Sequence, residues 1–473
     1  MNDIDNFSQP TEKKSLFASR KKIYVRSVTG TFQNWRVTIL LLILIVFYGV
    51  PWLTWGDRPA VLLDLAARKF YFLGVVFWPQ DVIYLTALLL LSAYLLFLFT
   101  AIAGRLFCGY ACPQTIYTEL LMWIERKIEG DRNAQIKLDA SPWSAQKIGK
   151  RAGKHLLWLL IALWSGITFV GYFVPIRELL PMLPFTISGW SLFFLLLFAA
   201  MVYFLSGLMR EQVCKFMCPY ARFQSVMFDR DTMIVTYDTA RGEPRGVRSR
   251  KSKDSGAVLG DCVDCALCVH VCPTGIDIRN GLQYECIGCG ACIDACDSVM
   301  KKLAFSLGLV RYATENAIEY GYDKAQMMKR ILRPRTLVYI VILLAITVAV
   351  AVSLFLRNPL RVDVLRDRGV MARETVPGVI ENVYRLQIMN TEEAPHAFTI
   401  KVEGLPGINV VAELSQPIHI AAEEARMIPV SVHFALPREG WDAGTYPITF
   451  TVMATDKAKM TRTEKSTFMV PKN

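Results

Sequence analysis

Residues 262–296 contain Cys262-Val-Asp-Cys265-Ala-Leu-Cys268-Val-His-Val-Cys272-Pro273 and then Cys286-Ile-Gly-Cys289-Gly-Ala-Cys292-Ile-Asp-Ala-Cys296. Each run has the spacing C-x2-C-x2-C-x3-C, the ligand pattern of bacterial ferredoxins, here written twice. A lone C-x2-C pair suits zinc or a redox dithiol, but eight cysteines at these spacings are far more specific, and structural zinc is the alternative they outweigh. In double motifs of this kind the fourth cysteine of each run ligates the other cluster. The sequence therefore predicts one [4Fe-4S] cluster on Cys262, Cys265, Cys268 and Cys296, and a second on Cys286, Cys289, Cys292 and Cys272. His270, inside the first run, occupies a filler position and reads as structural.

Working outward, the motifs lie between long apolar segments. The chain has 473 residues, of which 53% are hydrophobic, and a mean hydropathy of +0.32. That is too apolar for a soluble protein and long enough for several domains. All 12 cysteines lie in compact motifs, which argues for metal or redox chemistry rather than disulfide stapling. The +12 net charge comes from basic residues flanking apolar spans, so no nucleic-acid partner is indicated. The N-terminus is polar with no apolar core before residue 37, and no cleavable signal peptide is expected.

Five stretches reach bilayer-crossing length: Val37–Trp55, Val82–Ala103, His155–Pro175, Trp190–Met209 and Leu337–Leu356. The shorter apolar piece Phe70–Trp78 reads as interfacial rather than as a sixth span. Lys and Arg number seven in 1–36, three in 56–81, nine in 104–154 and one in 176–189. The positive-inside rule then makes 1–36, 104–154 and 210–336 cytoplasmic and leaves the C-terminal region outside. Arg357, Arg361, Arg366 and Arg368, just beyond the last span, run against that count. The expected organisation is a cytoplasmic segment (1–36), a four-span region (37–209), a cytoplasmic region with the ferredoxin domain at about 255–300 (210–336), a fifth span (337–356), and an extracytoplasmic domain (360–473). The basic stretch Arg241–Gly256 reads as a solvated linker.

Beyond residue 360 the apolar period becomes two. Tyr384, Leu386 and Ile388 form one alternating set, Phe398, Ile400 and Val402 another. Ile428, Val430, Val432 and Phe434 form a third, and Tyr446, Ile448, Phe450 and Val452 a fourth, the pattern of a β-sandwich. His396, His419 and His433 are scattered there and read as surface or strand histidines rather than a metal site.

The remaining cysteines form a matched pair: Cys108-Gly-Tyr-Ala-Cys112-Pro113 and Cys214-Lys-Phe-Met-Cys218-Pro219. Each follows an apolar span, the second and the fourth, so the arrangement is a tandem repeat of equal orientation. Cysteines four apart share a helix face. The proline ends one helix and suits the first turn of the next, with Gln114–Glu129 and Tyr220–Phe228 as the new helices. Cys112 and Cys218 then sit near helix N-termini, which favour thiolate. Four thiolates are soft ligands suited to Cu(I), zinc or a further iron–sulfur centre, with copper favoured. A disulfide is disfavoured on a reducing face, and cysteines that merely pack between helices are the bland alternative. Met209 and Met217 read as packing residues rather than thioether ligands, and His155 as an interfacial anchor rather than a haem or quinone ligand.

The two C-x3-C-P motifs, Lys22-Ile-Tyr-Val-Arg, Arg241-Gly-Glu-Pro-Arg-Gly, Gly260-Asp-Cys-Val-Asp-Cys through Cys272-Pro-Thr-Gly-Ile-Asp-Ile-Arg, and Gly281-Leu-Gln-Tyr-Glu-Cys together resemble the FixG/RdxA/CcoG family of cytochrome c oxidase accessory proteins. The resemblance spans nearly the whole chain and matches all twelve cysteines. It implies a multi-pass protein of the bacterial cytoplasmic membrane, with an α-helical bundle, a ferredoxin-like domain carrying two [4Fe-4S] clusters, and a periplasmic immunoglobulin-like domain. It also implies reduction of Cu(II) to Cu(I) during maturation of cbb3-type oxidases, copper being substrate or transient ligand at Cys108, Cys112, Cys214 and Cys218. The implied partners are the lipid bilayer, oxidase assembly factors or copper chaperones, and a cytoplasmic electron donor that the sequence does not identify; homo-oligomer formation stays open. Two other readings use the same cofactors: an electron-transfer subunit of a quinol-oxidising respiratory complex, and a redox-sensing assembly scaffold.

Overall fold

The computed structural model describes residues 22–247, 259–366, 372–376, 378–412, 417–435, 442–457 and 460–471. Residues 1–21, Arg368 and the part of the expected linker from 248 onward lie outside the described residues. The chain forms two compact units: the residues up to Thr54 with Leu88–Leu344, and Trp55–Ala87 with Ala345–Asn473.

Among the described residues, five helices are long and apolar enough to cross a membrane: Thr31–Trp52, Pro79–Ala103, Ala145–Val170, Gly189–Met209 and Pro334–Phe355. The third begins well before its apolar stretch and has the lowest mean hydropathy, 1.4. Ser144 caps it, accepting from the Lys147 N–H at 3.2 Å. Two lysines of its first turns, Lys147 and Lys154, are buried and compensated. The Lys147 ammonium donates to the carbonyls of Asp139 and Ser141 at 3.1 and 2.5 Å, and Lys154 pairs with Glu129 at 2.7 Å. Length of apolar sequence alone therefore misplaces this helix start. The fourth span is α-helical over Gly189–Met201 and widens to a π-helix over Val202–Met209. It breaks at Arg210, whose φ of 47° lies in the left-handed region. Long π-helical stretches are rare and concentrate at functional sites.

The helix Pro113–Glu129 lies against the third and fourth spans. The fully buried Trp158 donates its indole N–H to the Leu121 carbonyl at 3.0 Å, and Tyr117, Ala162, Ala199 and Val202 pack beside it. The ferredoxin region carries little regular structure. It has the helices Leu267–His270 and Ala291–Lys302, and a two-stranded antiparallel sheet pairing Ile234–Tyr237 with Val310–Ala313.

In the second unit, one sheet orders the strands Asn409–Ala412, Ala425–Ala435, Val379–Asn390 and Leu360–Arg366, with Arg373–Val376 also pairing to Val379–Asn390. The other orders Ile418–Ile420, His396–Glu403, Gly444–Ala454 and Thr461–Val470. Leu386 sits opposite Ile428, and Ile400 opposite Val452, so the period-two residues meet in one core. This is the expected sandwich. Phe70–Trp78 is not among the spans and forms strands. Lys69–Phe72 and Val75–Phe77 form a three-stranded sheet with Val61–Asp64, and Val76 and Trp78 bury against Met389. Strand-length apolar segments are ambiguous until their partner is known.

Asp81, 3% exposed, pairs with both Arg357 and Arg361 at 2.6 Å. Two of the arginines that run against the charge count thus share one buried carboxylate, which offsets one of their two charges. His396 is a buried strand residue, with Asp456 on Nδ1 at 2.6 Å and Glu392 on Nε2 at 2.8 Å. His433 faces Glu381 at 3.5 Å, with no shared site among the described residues.

Candidate iron–sulfur and thiolate site

Both cysteine runs take the same backbone path. The residues two and four after the first cysteine have positive φ in each: Asp264 (53°) and Ala266 (53°), then Gly288 (63°) and Gly290 (73°). Two left-handed residues in alternation curl the chain around a centre, leaving the cysteines on the inside. Glycine adopts this at no steric cost in the second run. In the first run Asp264 and Ala266 carry it, at about 1–2 kcal/mol each. Arg279 bridges Asp264 and Asp277, tying that strained loop down.

Two hollows result. One is lined by Cys262, Cys265, Cys268 and Cys296, the other by Cys272, Cys286, Cys289 and Cys292, with Cys268 also on its wall. The fourth cysteine of each run thus lines the hollow of the other run. Each hollow offers four soft sulfur donors in apolar surroundings such as Val299, Met300 and Leu309, or Ile276 and Ile278, a donor set that fits an iron–sulfur cluster. Cys265 is exposed, whereas Cys289 is buried.

The first C-x3-C-P motif abuts the second hollow. Cys108 packs against the buried cluster that contains Val271, Ile287, Cys289, Ala291 and Ala295, and Gly109 lies so close that a Cβ there would sit 2.8 Å from the Ile287 carbonyl oxygen. Cys108 lies on the short helix Leu106–Tyr110, and Cys112 caps the helix Pro113–Glu129. Cys214 lies on the π-turn Val213–Met217, and Cys218 caps Pro219–Met227. Both new helices start at the motif prolines. A cleft beside Cys214 is also walled by Thr115, Pro273 and Ile287, so the second motif borders the ferredoxin loops too.

Cys108, Cys112, Cys214 and Cys218 interact electrostatically with one another. Burial, with the neighbouring thiols adding to it, pushes Cys108 up to about 12 and Cys214 up to about 11. Such thiols are unreactive when neutral and become thiolate ligands when a metal displaces their protons. Cys108 donates to the buried Gln224 at 3.4 Å, and Thr115 donates to the Cys108 carbonyl at 2.5 Å. Among the described residues, no three His, Cys, Asp or Glu side chains close tightly on a single ion. Met217 is half exposed. His155 is half-buried, with the Tyr203 hydroxyl 2.9 Å from its Nδ1.

Sequence reasoning missed the residues that join these parts. Asp294, within the second run, accepts from the Phe32 and Gln33 N–H groups at 3.2 and 2.8 Å. It thereby caps the first span. Arg36 pairs with Glu119 at 3.1 Å, and Arg126 reaches the other oxygen at 2.9 Å. Burial alone pushes the Glu119 carboxyl up, but these two cations outweigh it and hold it below its ordinary value. Only Gly109 carried a signal, as a glycine inside a cysteine motif.

Residues 209–315 match a family model described as a 4Fe-4S dicluster domain, and residues 85–130 one described as a 4Fe-4S binding domain. Residues 350–471 match the IG-like fold at the C-terminal of FixG. The chain is 36% identical to Nitrogen fixation protein FixG of Rhizobium meliloti, over 92% of this chain and 90% of that one. It is 36% identical to Protein RdxA of Cereibacter sphaeroides, over 92% and 93%. Ferredoxin-type protein NapH of Haemophilus influenzae is 27% identical over 39% of this chain and 66% of that protein.

Proposed function

The chain belongs to the FixG/RdxA family of membrane iron–sulfur electron-transfer proteins, and from that premise we propose that it is a cupric reductase serving cbb3-type oxidase maturation. The observation that carries the reading is the packing of Gly109 on the Ile287–Cys289 loop and of Cys108 on the buried cluster that contains Ile287 and Cys289, which sets a paired-thiol site against a cluster-binding hollow. When bound, a reduced [4Fe-4S] cluster supplies one electron, which converts one Cu(II) to Cu(I) while the cluster returns to its oxidised state. The ligands are Cys262, Cys265, Cys268 and Cys296 for one cluster and Cys272, Cys286, Cys289 and Cys292 for the other. Cys265, the exposed member, marks the edge where a cytoplasmic donor delivers electrons. The buried Cys289 beside Gly109 marks the edge where they leave toward Cys108, Cys112, Cys214 and Cys218. Those four sulfurs receive copper and, being soft, favour Cu(I), which makes the electron transfer downhill. The ferredoxin region faces the cytoplasm and the sandwich the periplasm, as the charge asymmetry of the loops implies.

The test is anaerobic purification in detergent, quantification of iron, sulfide and copper, and addition of Cu(II) to the dithionite-reduced protein after the excess reductant is removed. Reoxidation of the clusters with one Cu(I) formed per electron is the expected result; absence of Cu(I) sinks the reading. Cys112→Ser combined with Cys218→Ser should keep the iron while lowering the rate, and full activity would remove copper from these sulfurs. The likeness to the ferredoxin-type protein NapH supports an electron-transfer role, and a second reading with the same clusters is a quinol-oxidising electron-transfer subunit. Cluster reduction by a quinol analogue, with no response to Cu(II), would select it.

A further inference from the structure

Most buried cations of the first unit have visible compensation. Arg36 has Glu119, Lys154 has Glu125 and Glu129, and Lys147 has two backbone carbonyls. Arg105 differs. It is 4% exposed and sits between the end of the second span and the helix bearing Cys108. One guanidinium nitrogen donates to the Ala221 carbonyl, while Nε is buried with no hydrogen-bond partner. Among the described residues no carboxylate lies within ion-pair distance of it. A buried cation without a counter-charge is strongly unfavourable, so the fold must supply negative charge from another source.

The neighbours identify that source. The Arg105 backbone lies against Gly288, where a Cβ would sit 3.2 Å from the Arg105 carbonyl carbon. The Arg105 charge acts on the sulfurs of Cys108, Cys214 and Cys286. Those sulfurs belong to both C-x3-C-P motifs and to the second ferredoxin run. They become negative when they carry metal.

We propose that Arg105 is the shared counter-charge of the metal-loaded thiolates at this junction, a positioning residue that biases both centres toward their reduced states. Adding an electron makes either centre one unit more negative, and a fixed buried cation stabilises the more negative state. At the cysteine pairs this favours Cu(I) over Cu(II). At the centre held by Cys286 it favours the state that is ready to donate. The copper half rests on the function proposed above; the iron–sulfur half does not.

The experiment uses the full chain, iron-loaded and anaerobic in detergent, as Arg105→Gln, Arg105→Lys and Gln224→Glu variants. Gln224 lies one helical turn from Ala221 and contacts Cys108, so Gln224→Glu offers the guanidinium a competing carboxylate. Redox titration followed by electron paramagnetic resonance reads each cluster's midpoint. A Cu(I)-selective chelator reads copper retention. Arg105→Gln should lower the midpoint of one cluster and leave the other in place, and should weaken Cu(I) retention about tenfold, as loss of one nearby charge implies. Arg105→Lys should stay close to the parent, and Gln224→Glu should lower the same midpoint with Arg105 present. Unchanged midpoints, equal shifts in both clusters, or Arg105→Lys behaving like Arg105→Gln would overturn the proposal. If Arg105→Gln does not accumulate, an unshifted midpoint in Gln224→Glu overturns it alone. If the parent retains no Cu(I), the copper site falls, and the cluster midpoints still decide the role of Arg105.

Discussion

Gly109 and Cys289 are in direct backbone contact: a Cβ on Gly109 would sit 2.9 Å from the Cα of Cys289. A residue of the first C-x3-C-P motif therefore touches a proposed ligand of the second cluster, with no side chain between. On the proposed electron route this close approach sets the spacing between the two motifs, and the glycine allows it.

Gly109→Val should force the loop Ile287–Cys289 away from the short helix Leu106–Tyr110. Overpacking of this kind costs about 1–3 kcal/mol. Both clusters should still assemble, while Cu(II) reduction in single-turnover mixing slows. A variant with unchanged electron-transfer rate and unchanged melting temperature would show that the contact is not needed.

Cys272→Ser separates crossed from sequential ligation. It should damage the cluster of Cys286, Cys289 and Cys292 and spare that of Cys262, Cys265 and Cys268. Iron analysis with resonance Raman or paramagnetic resonance of the reduced protein distinguishes the two. Selective loss in the Cys262 group would refute the crossed assignment, and with it the meaning given to the two hollows.

Asp294→Ala removes the acceptor for the Phe32 and Gln33 N–H groups at the start of the first span. Loss of such a cap costs about 1 kcal/mol. Detergent-solubilised protein should melt earlier, and limited proteolysis should cut sooner near Ser27–Thr31, with both clusters present at the outset. Unaltered proteolysis would mean that the ferredoxin region is anchored without it.

Glu381 governs part of the acid response of the C-terminal domain. Its ion pair with Arg373 at 2.5 Å is the largest influence and holds its carboxyl at about 2, against an ordinary 4.5. A depressed carboxyl stabilises the fold fully above its ordinary value and loses that contribution as pH falls toward the native one. The domain from residue 360 onward, expressed alone, should therefore lose stability between pH 4.5 and 2. Glu381→Gln should flatten that loss in denaturant titrations. Identical pH dependence in parent and variant would assign the acid response to other carboxylates.

Some of this protein is determined by the sequence alone, because the relevant physics is local. The cysteine spacings mark the two ferredoxin-type runs within a few residues of chain each. Apolar length specifies a span, and period-two alternation specifies a sandwich strand, since each depends only on near neighbours. Proline after Cys112 and after Cys218 likewise pointed to helices from 114 and 220, and the helices begin one residue earlier, at the prolines themselves. Where neighbours in space are distant in sequence, the local pattern was silent. The third span begins at Ala145 because Glu129 and two backbone carbonyls compensate its lysines. Phe70–Trp78 is sheet that buries against Met389, and Arg357 and Arg361 both pair with the one buried carboxylate of Asp81. Arg105 and Asp294 look ordinary in the sequence, and Gly109 shows only as a glycine inside a cysteine motif. Only tertiary packing could decide that one is a buried uncompensated charge, one a helix cap across the chain, and one a direct contact between two cysteine motifs, because burial and long-range proximity are properties of the whole fold rather than of any window within it.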